Sequence, residues 1–204
     1  MKILGIDISY RGTGVSIFDS DNLELTPLFI KSNKPSALNK FDKEGLLKYG
    51  INYDLVSEKN PKQFQIIWDI FRLKKVYDII NSIINEEQID AIIVEKQFSK
   101  INELYPIIAL NTIRSDTKML DFRAFYPKSW HKILFGNGSL DNPKEKVSNL
   151  FDYLVNNSII NLVNTNIKIN HDIKDSFMLV LTYLKAIHNI EILDLDKIKE
   201  IANV

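Results

Sequence analysis

Four carboxylates stand where a carboxylate is either costly or well aimed. Asp7 closes the apolar run KILGID, Glu95 closes DAIIVE (Asp90–Glu95), and Asp172 with Asp175 opens a patterned helical segment. The last two are three residues apart, so a helix presents both on one face. A carboxylate buried at a strand end costs several kcal/mol unless something cationic meets it. Four that converge would repel one another, and divalent cations would neutralise them. An all-oxygen donor set of this kind suits Mg²⁺ or Mn²⁺. Two such ions about 4 Å apart can activate a water and stabilise the leaving oxygen of an in-line phosphoryl displacement. Each acid also has a local explanation. Asp172 and Asp175 could favour a helix N-terminus, Asp7 could cap the turn Ser9–Gly12, and Glu95 could pair with Lys96 or Arg114. Their combination is what points to a site.

The elements that must carry these acids follow from periodicity. Lys2–Phe18 reads as two apolar strands joined by a polar turn, and Leu23–Ile30 as a third, with Pro27 marking an edge or a bulge. Gln63–Glu87 has apolar residues near helical spacing, and Asp90–Glu95 is a short continuous apolar run of the buried parallel type. Asn102–Ile113 reads as a helix, Leu120–Tyr126 as a strand, and Pro127 opens a short helix to about Leu134. Gly136–Asn142 is a loop with turn chemistry, Pro143–Asn156 a further helix, and Asn157–Ile169 fits no single period. Asp172–His188 carries one apolar stripe through Ile173, Phe177, Val180, Leu181 and Leu184. A meander followed by alternating helix and strand predicts an α/β fold: a mixed sheet with helices on both faces. The chain reads as one domain over 1–204, with an insertion at about 32–62 and a peripheral tail at about 189–204.

Composition sets the class without naming the partner. The 204 residues are 45% hydrophobic and 25% charged, as in a globular protein that buries one substantial core. No run of about 18 apolar residues or secretory leader is read, so no membrane association is expected. The absence of cysteine excludes disulfides and thiolate metal sites and fits a reducing, intracellular compartment. Lysine plus arginine balance aspartate plus glutamate at 26 each, so net charge does not announce a nucleic-acid binder. Distribution says more, because six basic residues face three acids between Lys118 and Lys146.

Taken together, Gly5-Ile6-Asp7 with Thr13-Gly14, Val94-Glu95-Lys96-Gln97-Phe98, and Asp172-x-x-Asp175 at a helix start resemble the RuvC-like Holliday-junction resolvases of the RNase H-like superfamily. The resemblance extends over roughly Met1–Ile30 and Phe64–His188. It implies a five-stranded mixed sheet flanked by helices, and two Mg²⁺ per active site, with Mn²⁺ as a substitute, held by Asp7, Glu95, Asp172 and Asp175. It further implies paired symmetric nicks in four-way DNA junctions that leave 5′-phosphate and 3′-hydroxyl ends. Phe98 occupies the place of an aromatic that stacks on a base at the junction. Lys96, Lys100, Lys128, Lys132, Lys144 and Lys146 would meet phosphates by charge, with salt-dependent affinity.

Trp130 reads as core rather than a base platform, and His171 as a helix-entry residue that could assist the site as an auxiliary. A two-fold substrate calls for a two-fold enzyme, so a homodimer is expected. The Ser32–Lys62 insertion, the Glu-Lys-Gln pattern after the buried strand, and Ser176-Phe177 after the last acid suggest a divergent branch, as from a virus or phage. Three other readings compete: an RNase H-like nuclease acting on RNA–DNA hybrids or branched and flap DNA, a non-catalytic DNA-binding relative, and an actin-like ATPase. The last also begins with Gly-Ile-Asp and a Gly/Thr turn, but it should carry a second phosphate motif and a Gly-Gly adenosine loop, which this sequence lacks.

Overall fold

A computed structural model describes residues 1–8, 12–31, 75–96, 120–164 and 166–203. Strands β1 (Lys2–Ile8), β2 (Gly12–Asp19) and β3 (Glu24–Lys31) form the expected antiparallel meander. Helix α1, described over 75–87, leads to β4 (Ala91–Glu95), which pairs parallel to β1. Strand β5 (Asp121–Phe125) pairs parallel to β4. Helices α2 (Pro127–Phe135) and α3 (Pro143–Asn156) follow, then the short strand β6 (Asn161–Leu162), α4 (His171–His188) and α5 (Leu195–Ala202). The sheet order is β5-β4-β1-β2-β3-β6.

The sheet thus has six strands among the described residues, where five were expected. The extra one is two residues long and pairs parallel only with Glu24 and Leu25 of β3. Beyond those two residues β3 has an open edge among the described residues. Pro27, which has no N–H to give, is tolerated on such an edge. The reading of 102–113 as a helix, the first half of the 63–87 helix and the 32–62 insertion lie outside the described residues.

Alternation along the strands sends two residue sets to opposite faces. Leu4, Ile6, Ile8, Val15, Ile92 and Val94 pack on one face against Val76, Ile80 and Ile84 of α1. Ile3, Phe18 and Ile93 face the other way, against Phe177, Val180 and Leu184 of α4, with α2 and α3 completing that layer. Helix α4 is nearly enclosed, its residues from Ser176 to Leu184 all buried. The segment after Asn189, expected as a peripheral tail, carries the short helix α5 and is mostly exposed or half-buried. Asp194 caps α5 by accepting from the Lys197 N–H at 2.7 Å, and Ile198 and Ala202 are buried in the α4 layer.

Two glycines set how closely α4 lies on the sheet. A Cβ on Gly14 would stand 2.0 Å from the Asp172 carbonyl oxygen, and one on Gly5 2.1 Å from that of Ser176. The backbone of α4 therefore occupies the space that side chains would take on β1 and β2. Polar groups at this seam pair with each other, as buried groups must. The Ser16 and Ser176 hydroxyls are 2.7 Å apart, and they reach the Ile173 carbonyl at 3.2 and 2.8 Å respectively.

Candidate active site

Register places the first two acids side by side. Gly5 pairs with Ile93 and Ile6 with Val94 in the parallel β1–β4 ladder, so Asp7 and Glu95 stand next along it. By the same alternation both belong to the face that carries α4. Both close their strands at the carboxyl end, where open α/β sheets commonly bind ligands. Asp7 is buried, with 6% of its surface exposed. Across the ladder from Asp7 is Gly14, whose missing side chain admits the first turn of α4. That turn carries Asp172, and the next residue on the same helical face is Asp175.

The electrostatics tie three of the four acids together. The Asp175 carboxyl is pushed up to about 7, by burial first and then by the charges of Glu95 and Asp172, with Lys144 opposing them. Burial also raises the Glu95 carboxyl, against a hydrogen bond from the Trp130 indole that lowers it. An acid raised both by burial and by two neighbouring acids, as Asp175 is, lacks charge compensation there. A hard divalent cation would supply it, and oxygen donors are its preferred ligands. The donor set fits such an ion in chemistry and in shared field. Among the described residues, however, no three His, Asp or Glu side chains are placed together so as to hold a metal ion.

A helix N-terminus needs a cap, and this one has a different residue for it. The Asn170 side chain accepts from the Ile173 N–H at 3.0 Å, so neither Asp172 nor Asp175 performs that role. We expect Asn170→Ala to cost about 1 kcal/mol of stability in chemical denaturation. Asp172→Asn should cost less, because the weakened attraction to the helix dipole is offset by relief of repulsion with Asp175. Equal losses in the two variants would mean that Asp172 stands there for the helix alone.

The remaining candidates divide. Lys128 and Lys132 are exposed on α2, and Lys144 is exposed in the first turn of α3 and close enough to act on Asp175. Lys96 lies over the Tyr126 ring at 4.8 Å, just beyond Glu95. Lys146 is engaged elsewhere, its ammonium donating to the Asn203 and Ala202 carbonyls at 2.7 and 3.4 Å at the end of α5. His171 Nδ1 lies 3.5 Å from the Ser148 hydroxyl on α3. Phe98 and Lys100 fall outside the described residues. Sequence reasoning missed Asn170, Ser16 and the indole of Trp130 as parts of the site's support. Asn170, directly before the helical pattern, was legible as a cap, whereas the other two depend on contacts between distant segments.

A meander whose first strand pairs parallel with β4, crossed by one buried helix that brings acids to the strand ends, is the RNase H-like α/β fold. Among solved structures, Thermus thermophilus RuvC superposes with a TM-score of 0.53 at 14% identity, over 90% of this chain and 93% of that one. T. thermophilus RuvC in complex with a Holliday junction substrate gives 0.50 at 15% identity, over 90% and 92%. The fowlpox virus Holliday junction resolvase gives 0.49 at 15% identity, over 91% and 99%. No family model matches the chain, and no curated protein matches it by sequence. Among the described residues no helix is long and apolar enough to cross a membrane.

Proposed function

We propose that this protein is a divalent-metal-dependent endonuclease of the RuvC type that nicks four-way DNA junctions. The observation that supports the reading is that the charges of Glu95 and Asp172 both act on the half-buried Asp175, at the end of the sheet where the buried Asp7 stands near the close of β1 and Glu95 closes β4. These four carboxylates would hold the ions, Mg²⁺ or Mn²⁺, two per site. Bound there, the ions would supply Lewis acidity toward a phosphodiester and lower the pKa of an attacking water.

The chain's own part is positional. β1 fixes Asp7, the indole of Trp130 holds Glu95, and the Gly5–Gly14 seam sets the height of Asp172 and Asp175 above the sheet. Lys144, with Lys128 and Lys132 on α2, would meet phosphates beside the acids and give salt-dependent affinity. The likeness to RuvC bound to a Holliday junction substrate supports branched DNA as the ligand class. Paired symmetric nicks would need two such sites, hence a two-fold homodimer.

The rival ATPase reading loses its main support at the β1–β2 turn. The glycines that would cradle phosphate are filled from within the protein, Gly14 by the α4 backbone and Gly12 by the Phe29 ring. The test of the proposal is a cleavage assay that compares four-way junction, fork, duplex and RNA–DNA hybrid with Mg²⁺ or Mn²⁺. Symmetric nicking of the junction in preference to the others is the expected result. Preferential cutting of the hybrid would assign the protein to a different RNase H-like activity.

A further inference from the structure

Helix α2 connects the basic face to the acids through one buried ring. Pro127 opens the helix, and Gly136, in the left-handed conformation at φ 79°, closes it by donating its N–H to the Lys132 carbonyl. Lys128 and Lys132 are exposed, while Trp130, Leu134 and Phe135 are buried in the α4 layer. The Trp130 ring is 2% exposed and makes an edge contact with His131, with ring centres 4.0 Å apart. Its Nε1–H donates to Glu95 Oε2 at 2.9 Å. An indole can only donate, so its partner had to be an acceptor, and the acceptor here is a carboxylate.

We propose that Trp130 is a positioning residue for the candidate metal centre, its indole N–H holding the Glu95 carboxylate in the orientation in which it binds a divalent cation. The inference rests on the reading of Glu95 as a site acid. A glutamate side chain loses rotamer freedom when it is fixed. Here the fixing is done on folding by a ring locked in the core, so cation binding does not bear that cost. One oxygen is tied by the indole, and a carboxylate oxygen retains a second lone pair, so neither oxygen is lost to a cation. Partners of this kind behind a ligand typically carry ten- to a hundredfold in metal affinity. A ring that merely satisfied its own N–H in the core would leave cation affinity untouched.

The sequence has two tryptophans, so Trp68→Phe leaves position 130 as the sole one. In that background, Trp130 is replaced by benzothienylalanine, which keeps the ring shape and removes the N–H, and separately by phenylalanine. Mn²⁺ binding is followed by electron paramagnetic resonance and calorimetry, and junction binding is measured without divalent ions. The expected result is a Mn²⁺ dissociation constant raised about tenfold or more in both replacements, with metal-free junction affinity unchanged. Unchanged Mn²⁺ affinity in the benzothienyl protein, whatever its Tm, overturns the inference. A parent protein that binds Mn²⁺ no differently from its Glu95→Gln variant overturns the site reading and this inference with it.

Discussion

Asp175→Asn is expected to stabilise the metal-free protein at neutral pH and above while abolishing metal-dependent cleavage. The Asp175 carboxyl titrates near 7 in the folded chain against an ordinary value of 3.8. Between those values the folded state holds a proton that the unfolded state has released, so stability falls as pH rises from about 4 to about 7. The displacement corresponds to a loss on the order of 4 kcal/mol. Glu95, raised as well, adds in the same direction. Denaturation in EDTA from pH 5 to 8 should therefore show falling stability in the wild type and a flatter profile in the variant. Mg²⁺ should restore the wild type at pH 8 by mass action and leave the variant unmoved. A wild-type profile that is flat over this range would remove the basis for treating these acids as a charge-starved cluster.

Gly14→Ala is expected to cost more in activity than in stability. Its Cβ would lie 2.0 Å from the Asp172 carbonyl oxygen and 2.5 Å from the Ile173 nitrogen. Atoms of this kind do not approach so closely, so the first turn of α4 must lift by about an ångström. Overpacking of this sort typically costs about 1–3 kcal/mol, occasionally more. The lifted turn carries Asp172, and a displacement of about 1 Å in a catalytic group can cost about a hundredfold in rate. Gly5→Ala meets the Ser176 carbonyl one turn further on and should disturb the seam as much, with Asp172 less affected. The check is Tm together with the junction cleavage rate at saturating Mg²⁺. A Gly14→Ala protein that cuts at the wild-type rate would show that α4 does not set the height of the acids.

Much of this was legible in the chain, for reasons that differ by element. The meander, β4, β5 and helices α2, α3 and α4 repeat their apolar residues at the period of the element, and prolines mark the starts of α2 and α3. The positions of the four acids, near the ends of β1 and β4 and in the first turns of α4, were legible for the same reason. Strand β6 was not, because two residues hold no period and its pairing depends on β3. Helix α5 was legible in principle: Leu195, Ile198 and Ala202 recur at helical spacing behind the Asp194 cap, and the shortness of the segment hid them. Lys146 and Trp130 could not be read locally. One serves a helix end 56 residues away and the other a carboxylate 35 residues away. A lysine among lysines reads as a basic patch, and a tryptophan among apolar residues reads as core, until the fold supplies their partners.

The central claim is that Asp7, Glu95, Asp172 and Asp175 act together as one cation site. Its most direct test is Mn²⁺ binding to the purified protein at pH 8, measured for the wild type and for Asp7→Asn, Glu95→Gln, Asp172→Asn and Asp175→Asn. Saturable binding is expected in the wild type, weakened or lost in all four variants, including those whose acids are far apart in sequence. Wild-type binding that survives in every variant, or no saturable binding in the wild type, would contradict it.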